Sequence, residues 1–137
     1  MHFILVLLVT CFVALLVTEP AVADDLDVCL SPSTVETADR NIAACTRAIQ
    51  DPRTSRINLS HAYTGRCAEW SSKKEYKRAI DDCNQALAIH GNSSYAYNNR
   101  GTAYQGLGDI KRAKADYNKA ASMGLEIARD NLRKLGK

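Results

Sequence analysis

Small and apolar residues recur at three- and four-residue spacing along most of the chain, and in one stretch they do so in two linked sets. From Ser94 to Gly124, Tyr97, Gly101 and Tyr104 fall on one helical stripe, and Ile110, Ala113, Tyr117 and Ala120 on a second. The run Gly106-Leu107-Gly108-Asp109 divides them, with Asp109 placed to cap the second helix. Small side chains at Gly101 and Ala113 let two backbones approach closely, while the tyrosines fill the space on either side. The pattern predicts a helical hairpin with a specified crossing point.

The same pattern stands 34 residues earlier. Ser60, Ala62, Tyr63, Arg66, Ala79, Asp82, Asn84 and Ala86 precede Ser94, Ala96, Tyr97, Arg100, Ala113, Asp116, Asn118 and Ala120 by that offset. A period of this length is the mark of stacked helical hairpins that bury a shared core only by packing on one another. Further upstream, Val35, Ala38, Ile42, Cys45 and Ile49 predict a helix behind a Ser33/Glu36 capping box, ending before Asp51-Pro52. Its end matches the 80–87 stretch at an offset of 38, with Cys45 on Cys83 and Ala48 on Ala86. Leu125, Ala128, Leu132 and Leu135 predict a terminal helix that covers the open end of the stack.

These residues resemble the tetratricopeptide repeat. Tyr97, Gly101, Tyr104, Leu107-Gly108-Asp109, Ala113, Tyr117 and Ala120 match its pattern, with Arg100 in place of the usual Leu and no Pro after Ala120. In the preceding copy Tyr63, Trp70, Tyr76, Ala79 and Ala86 fit, Cys67 stands for the Gly and Cys83 for the second-helix aromatic. The resemblance covers roughly residues 55–124 and implies an all-α, tetratricopeptide-like stack of antiparallel hairpins, an α-solenoid with a C-terminal capping helix. The chain divides accordingly into a leader (1–23), an N-terminal lead with a degenerate half-repeat (24–54), two repeats (55–91 and 92–124) and the cap (125–137).

The leader changes the chemistry expected of the rest. His2 to Val17 is almost unbroken apolar sequence, and Ala21-Val22-Ala23 before Asp24-Asp25 reads as a cleavage signal, so residues 1–23 are expected to be a secretory signal peptide despite the missing charged start. The run is short for a membrane span and lacks flanking Lys or Arg, so no stable membrane insertion is expected after cleavage. A periplasmic or secreted location follows. Losing residues 1–23 removes Glu19 but no Lys or Arg, moving the formal charge from +3 to +4. Lys73, Lys74, Lys77, Arg78, Lys111, Arg112, Lys114 and Lys119 alternate with acids including Asp81, Asp82 and Asp116, as on a solvated face rather than a nucleic-acid stripe.

With Cys11 gone, four cysteines remain: Cys29, Cys45, Cys67 and Cys83. An even number in an exported chain points to two disulfides, with three connectivities open. Adjacent pairing would close two equivalent 16-residue separations, although Cys83 lies a turn beyond Ala79, the residue expected opposite Cys67. Buried free thiols are the competing reading for that second pair.

Enzymatic chemistry finds little support. His61 and His90 have no metal-spaced partner, Asp81 and Asp82 face different ways, no C-x-x-C occurs, and no cofactor site is indicated. Asn58-Leu59-Ser60 and Asn92-Ser93-Ser94 fit the N-glycosylation triplet. The first helices of the hairpins would instead form a concave, hydroxyl- and amide-rich face containing His61, Thr64, Ala68, Ser71, Tyr95, Asn98, Asn99, Thr102 and Gln105, suited to an extended peptide or a helix. The Lys and Asn pattern with which some members of the family clamp a partner's terminal carboxylate is missing, since Thr64 and Ala68 occupy those places in the first full copy. The expected function is thus exported protein–protein interaction. The alternative is a thiol redox or stress-response module using Cys67 and Cys83, and a secreted effector acting on a host partner shares the features of the first reading.

Overall fold

The computed structural model describes residues 22–136, so most of the expected leader, with Cys11, lies outside the described residues. Seven helices follow in order: α1 (Val22–Cys29), α2 (Ala38–Gln50), α3 (Arg56–Ser72), α4 (Tyr76–Ile89), α5 (Ser94–Gly106), α6 (Ile110–Ser122) and α7 (Glu126–Leu135). No strand occurs among the described residues. The pairs α1/α2, α3/α4 and α5/α6 are hairpins stacked in chain order, and α7 closes the end against α6.

Local sequence sets the helix ends. Ser55, Ser93 and Asp109 accept hydrogen bonds from the backbone N–H of Asn58, Ala96 and Arg112 at 3.2, 3.2 and 3.0 Å, each capping a helix start. The ends of α3, α5 and α6 share one closing geometry, in which Glu75, Asp109 and Leu125 donate back to the carbonyls of Trp70, Tyr104 and Ala120. The residue before each of those donors takes a positive φ: Lys74 at 63°, Gly108 at 78° and Gly124 at 91°. Two are glycines, as that backbone favours. Lys74 carries a Cβ there, at a cost of about 1–2 kcal/mol.

The core is built mainly of alanine and cysteine. Ala44, Cys45, Ala62, Cys67, Ala79, Cys83, Ala86, Ala96, Ala103, Ala113 and Ala120 are fully buried, and small side chains let the helix axes come close. Across each hairpin a contact recurs between residues 16 apart. Cys29 is bonded to Cys45 and Cys67 to Cys83, with Cα atoms 4.7 and 5.5 Å apart. In the last hairpin the same two positions hold Gly101 and Tyr117, where a Cβ on Gly101 would come within 2.9 Å of the Tyr117 ring. Position 83 therefore faces position 67 directly, just as Tyr117 faces Gly101, although Ala79 also packs in the cluster around Cys67. The turn of offset anticipated from Ala79 is absorbed by this cross-hairpin register.

Immediately beside these contacts lie two ion pairs in the same register. Arg66 donates through Nε and Nη2 to both Asp82 oxygens at 2.7 and 2.8 Å, and through Nη1 to Thr46 of the preceding hairpin at 3.0 Å. Arg100 repeats this with Asp116, at 2.8 Å twice, and with Asn84 at 2.7 Å. The hydrogen bonds that Arg66 and Arg100 donate to these carboxylates, opposed by desolvation, push the two guanidinium pKa values further up. This corrects the expectation that Asp82 and Asp116 belong to a solvated face: both are buried, at 7% and 6% exposure. It also explains Arg100 where the family has Leu, because the arginine ties two hairpins together as well as two helices. Arg78 over Trp70 and Arg112 over Tyr104, at 3.4 and 4.3 Å, repeat on the same period.

The N-terminal region departs from expectation twice. The stretch expected to be an acidic lead contains helix α1, so a complete hairpin stands where a half-repeat was anticipated. Its apolar side, Leu26 and Cys29 three apart, is hidden in sequence among Asp24, Asp25 and Asp27, of which the first two favour a helix start. Asp25 is buried and pairs with Arg47 of α2 through Nε at 2.9 Å. The Ser33/Glu36 capping box does not form: α2 begins at Ala38, Thr34 N–H donates to Thr37 Oγ1 at 2.9 Å, and Val35 is 82% exposed.

Asn98, expected on the open face, is 6% exposed and accepts from Asn131 Nδ2 of α7 at 3.0 Å, joining the last hairpin to its cap. Replacing Asn98 with Ala leaves the half-buried Asn131 amide without this acceptor, so the urea midpoint should fall by a cost of about 1 kcal/mol. Gly101→Leu should destabilise by about 1–3 kcal/mol or more, since Tyr117 must leave its buried site. An unfolding curve unchanged in that variant would refute the close approach of α5 and α6.

Candidate functional site

A concavity of about 530 Å³ lies where the α1–α2 connection passes over the first helices of the second and third hairpins. Helix α3 contributes His61, Thr64, Gly65, Ala68 and Glu69, α5 contributes Tyr95 and Asn99, and Leu30 to Ser33 form the opposite wall. Residues 61, 64, 65, 68 and 69 share one helix face by their three- and four-residue spacing. Of the side chains expected on the concave face, His61, Thr64, Ala68, Tyr95 and Asn99 meet here. Ser71 and Thr102 lie in an adjoining cavity of about 260 Å³, to which Ala68 and Asn99 also belong. Asn98 is turned to α7, and Gln105 accepts from the Tyr117 hydroxyl at 2.8 Å, so both stand apart from this groove.

Two features of the groove were not visible in the pattern. Gly65 brings the end of α1 onto α3: a Cβ there would meet the Cys29 sulfur and Leu30 Cδ2 at 3.0 Å and the Cys29 carbonyl at 3.2 Å. The wall from Leu30 to Ser33 thus hangs from the Cys29–Cys45 bridge and closes over a residue that has no side chain. Glu69 is the second. It is 5% exposed, and its two oxygens accept from Ser33 Oγ at 2.8 Å and Asn41 Nδ2 at 3.2 Å, while Asn41 also donates to the Ser31 carbonyl at 3.1 Å. This network ties the wall to α2 and α3 and leaves a carboxylate at the groove surface. A single glutamate between Ala68 and Trp70 gives no sequence signal of such burial.

The groove offers apolar contact and hydrogen bonding. Tyr95 and Leu30 are 62% and 48% exposed, large apolar surfaces left open to solvent beside Pro32 and Ala68. Thr64 spends its hydroxyl on the Ser60 carbonyl at 2.8 Å, Asn99 donates to the Thr64 carbonyl at 3.4 Å, and the Ser71 hydroxyl finds no partner among the described residues. No cluster of three His, Cys, Asp or Glu able to hold a metal occurs among the described residues. The four bridged cysteines are at most 1% exposed, so an attacking thiolate has no route to the sulfurs while the hairpins are folded, which weighs against a redox role. No described helix is long and apolar enough to cross a membrane.

Comparison with known proteins agrees with this architecture. Residues 94–123 match the model of the tetratricopeptide repeat family. Heat shock protein STI1 of Saccharomyces cerevisiae is 33% identical over 90 residues, covering 66% of this chain but 15% of that protein. The second tetratricopeptide domain of human RPAP3, solved in complex with the HSP70 peptide SGPTIEEVD, superposes with a TM-score of 0.64 at 29% identity, over 74% of this chain and 83% of that one. The first such domain of Spaghetti (RPAP3), bound to the HSP90 peptide SRMEEVD, gives 0.64 at 25% identity, over 74% and 79%. Residues 94–123 are thus a tetratricopeptide repeat, set in a hairpin stack with the fold of tetratricopeptide-repeat domains.

Proposed function

We propose that this protein is an interaction module that holds an extended segment of a partner protein in the groove between α3, α5 and the 30–33 wall. The observation that carries the reading is the concavity of about 530 Å³ in which five side chains of the expected face gather beside exposed Tyr95 and Leu30. Its size is that of a ligand site, and exposed aromatic surface at the rim of a concavity marks a contact site. Tetratricopeptide domains of RPAP3 and Spaghetti hold peptides, which supports the same use of this fold here. Panning a random-peptide display library against the oxidised protein should yield binders whose affinity falls about tenfold with Tyr95→Ala, a loss of about 1.4 kcal/mol. Because Tyr95 is mostly exposed, the variant should unfold at the wild-type midpoint. Binders indifferent to Tyr95 would move the site elsewhere.

The working location in this proposal is an oxidising, exported compartment, periplasmic or secreted. Two buried disulfides in a small alanine-rich core and the apolar stretch from His2 to Val17 support it. Cleavage after Ala23 would shorten α1 by two residues, keep the Asp25–Arg47 pair and leave Asp24 and Asp25 at the helix start. N-terminal sequencing of the protein recovered outside the cytoplasm should read Asp24-Asp25-Leu26, and a chain that retains Met1 would refute export by cleavage.

A further inference from the structure

Buried acids in this protein are matched by cations, with one exception among the described residues. Asp25, Asp82 and Asp116 are each bonded through two guanidinium nitrogens, to Arg47, Arg66 and Arg100 respectively. Glu69 is buried to the same degree, at 5% exposure, yet its hydrogen bonds come from the neutral donors Ser33 and Asn41 and no ion pair reaches it among the described residues. Both of its oxygens accept a hydrogen bond, and each retains a lone pair. A buried carboxylate with no cation beside it is costly, and Glu69 is among the residues that line the groove, where a ligand would lie.

The rest of the lining has the same bias. The chain carries 18 Lys and Arg, but among the described residues no Lys or Arg lines either the larger or the adjoining cavity. The groove is therefore a locally anionic, partly apolar surface on a basic protein. A segment rich in Asp or Glu, or one ending in a carboxylate among acidic residues, has no cation to meet there and faces Glu69.

We infer that the occupant of the groove, on the peptide-binding reading above, presents a Lys or Arg to Glu69 and an apolar side chain to Tyr95 and Leu30. The repeat fixes their spacing. Tyr95 stands one 34-residue period after His61, so it lies level with His61, and Glu69 is eight residues farther along α3. That separation is about 12 Å along the helix. Because α5 lies beside α3 with axes about 8–10 Å apart, the diagonal from Tyr95 to Glu69 is about 15 Å, which extended peptide covers in about four to five residues. The expected motif is an apolar residue and a basic residue separated by that interval.

The test starts from library binders that depend on Tyr95 and measures the affinity of the tightest as a synthetic peptide, beside a version with each Lys and Arg replaced by Gln and beside SRMEEVD. The basic peptide should bind the wild type at least tenfold more tightly than either comparator, and Glu69→Gln should shrink its advantage over the neutral version to less than threefold. Should Glu69→Gln lower the unfolding midpoint, a salt titration of the wild type supplies the second readout: the basic peptide weakens with ionic strength and the neutral one does not. Tyr95-dependent binders that lack Lys and Arg, or that bind equally well at all salt concentrations, overturn the charge inference and leave the peptide-binding reading intact. Failure to obtain any Tyr95-dependent binder overturns both.

Discussion

Two helices can lie close together only where one of them offers little bulk, and in this protein that condition is met at the first-helix position 16 residues before its partner. Gly101 meets it by having no side chain, so that the Tyr117 ring lies against its backbone. Cys29 and Cys67 meet it with a side chain that is bonded to the opposing Cys45 and Cys83. An aromatic ring on glycine and a disulfide thus serve the same geometric purpose at equivalent places. In the chain-entropy description a bridge closing a loop of this length stabilises by about 3 kcal/mol. That contribution matters in a core made largely of alanine, whose small side chains bury little apolar area each.

The arginines beside these contacts extend the order from one hairpin to the next. Arg66 and Arg100 each hold an aspartate across their own hairpin and reach an acceptor on the hairpin before it. Bidentate pairing fixes direction as well as distance, so the angle between neighbouring hairpins is set by the same side chains. The groove inherits its shape from this. Helices α3 and α5 are held side by side, and the 30–33 wall is suspended from a bridged cysteine above Gly65.

Much of this could be read from the residues in advance, because the relevant information repeats. Tyr97, Gly101, Tyr104, Ala113, Tyr117 and Ala120 specify a hairpin, and their echo 34 residues earlier specifies a stack. The cap at Asp109 is local, so it too was legible. What escaped depends on contacts between distant segments. The apolar side of α1 is only two turns long and sits among aspartates, so periodicity could not separate it from a loop. Asp82 and Asp116 looked like surface because a carboxylate's burial is decided by the arginine that meets it in space. Glu69 and Asn98 were hidden for the same reason, one drawn inward by Ser33 and Asn41, the other by Asn131.

Both covalent links stay within a hairpin, and neither joins one hairpin to another. A pulling force applied at the two ends would therefore separate α2 from α3 and α4 from α5 without straining a covalent bridge, and would then stall at each closed loop. With a sequence separation of 16 between the bonded cysteines, each loop withholds about 50 Å of contour from extension. The last hairpin, closed by an aromatic ring rather than a bond, has no such stop, so mechanically the molecule is tethered in its first two thirds and free to unravel from its C-terminal side.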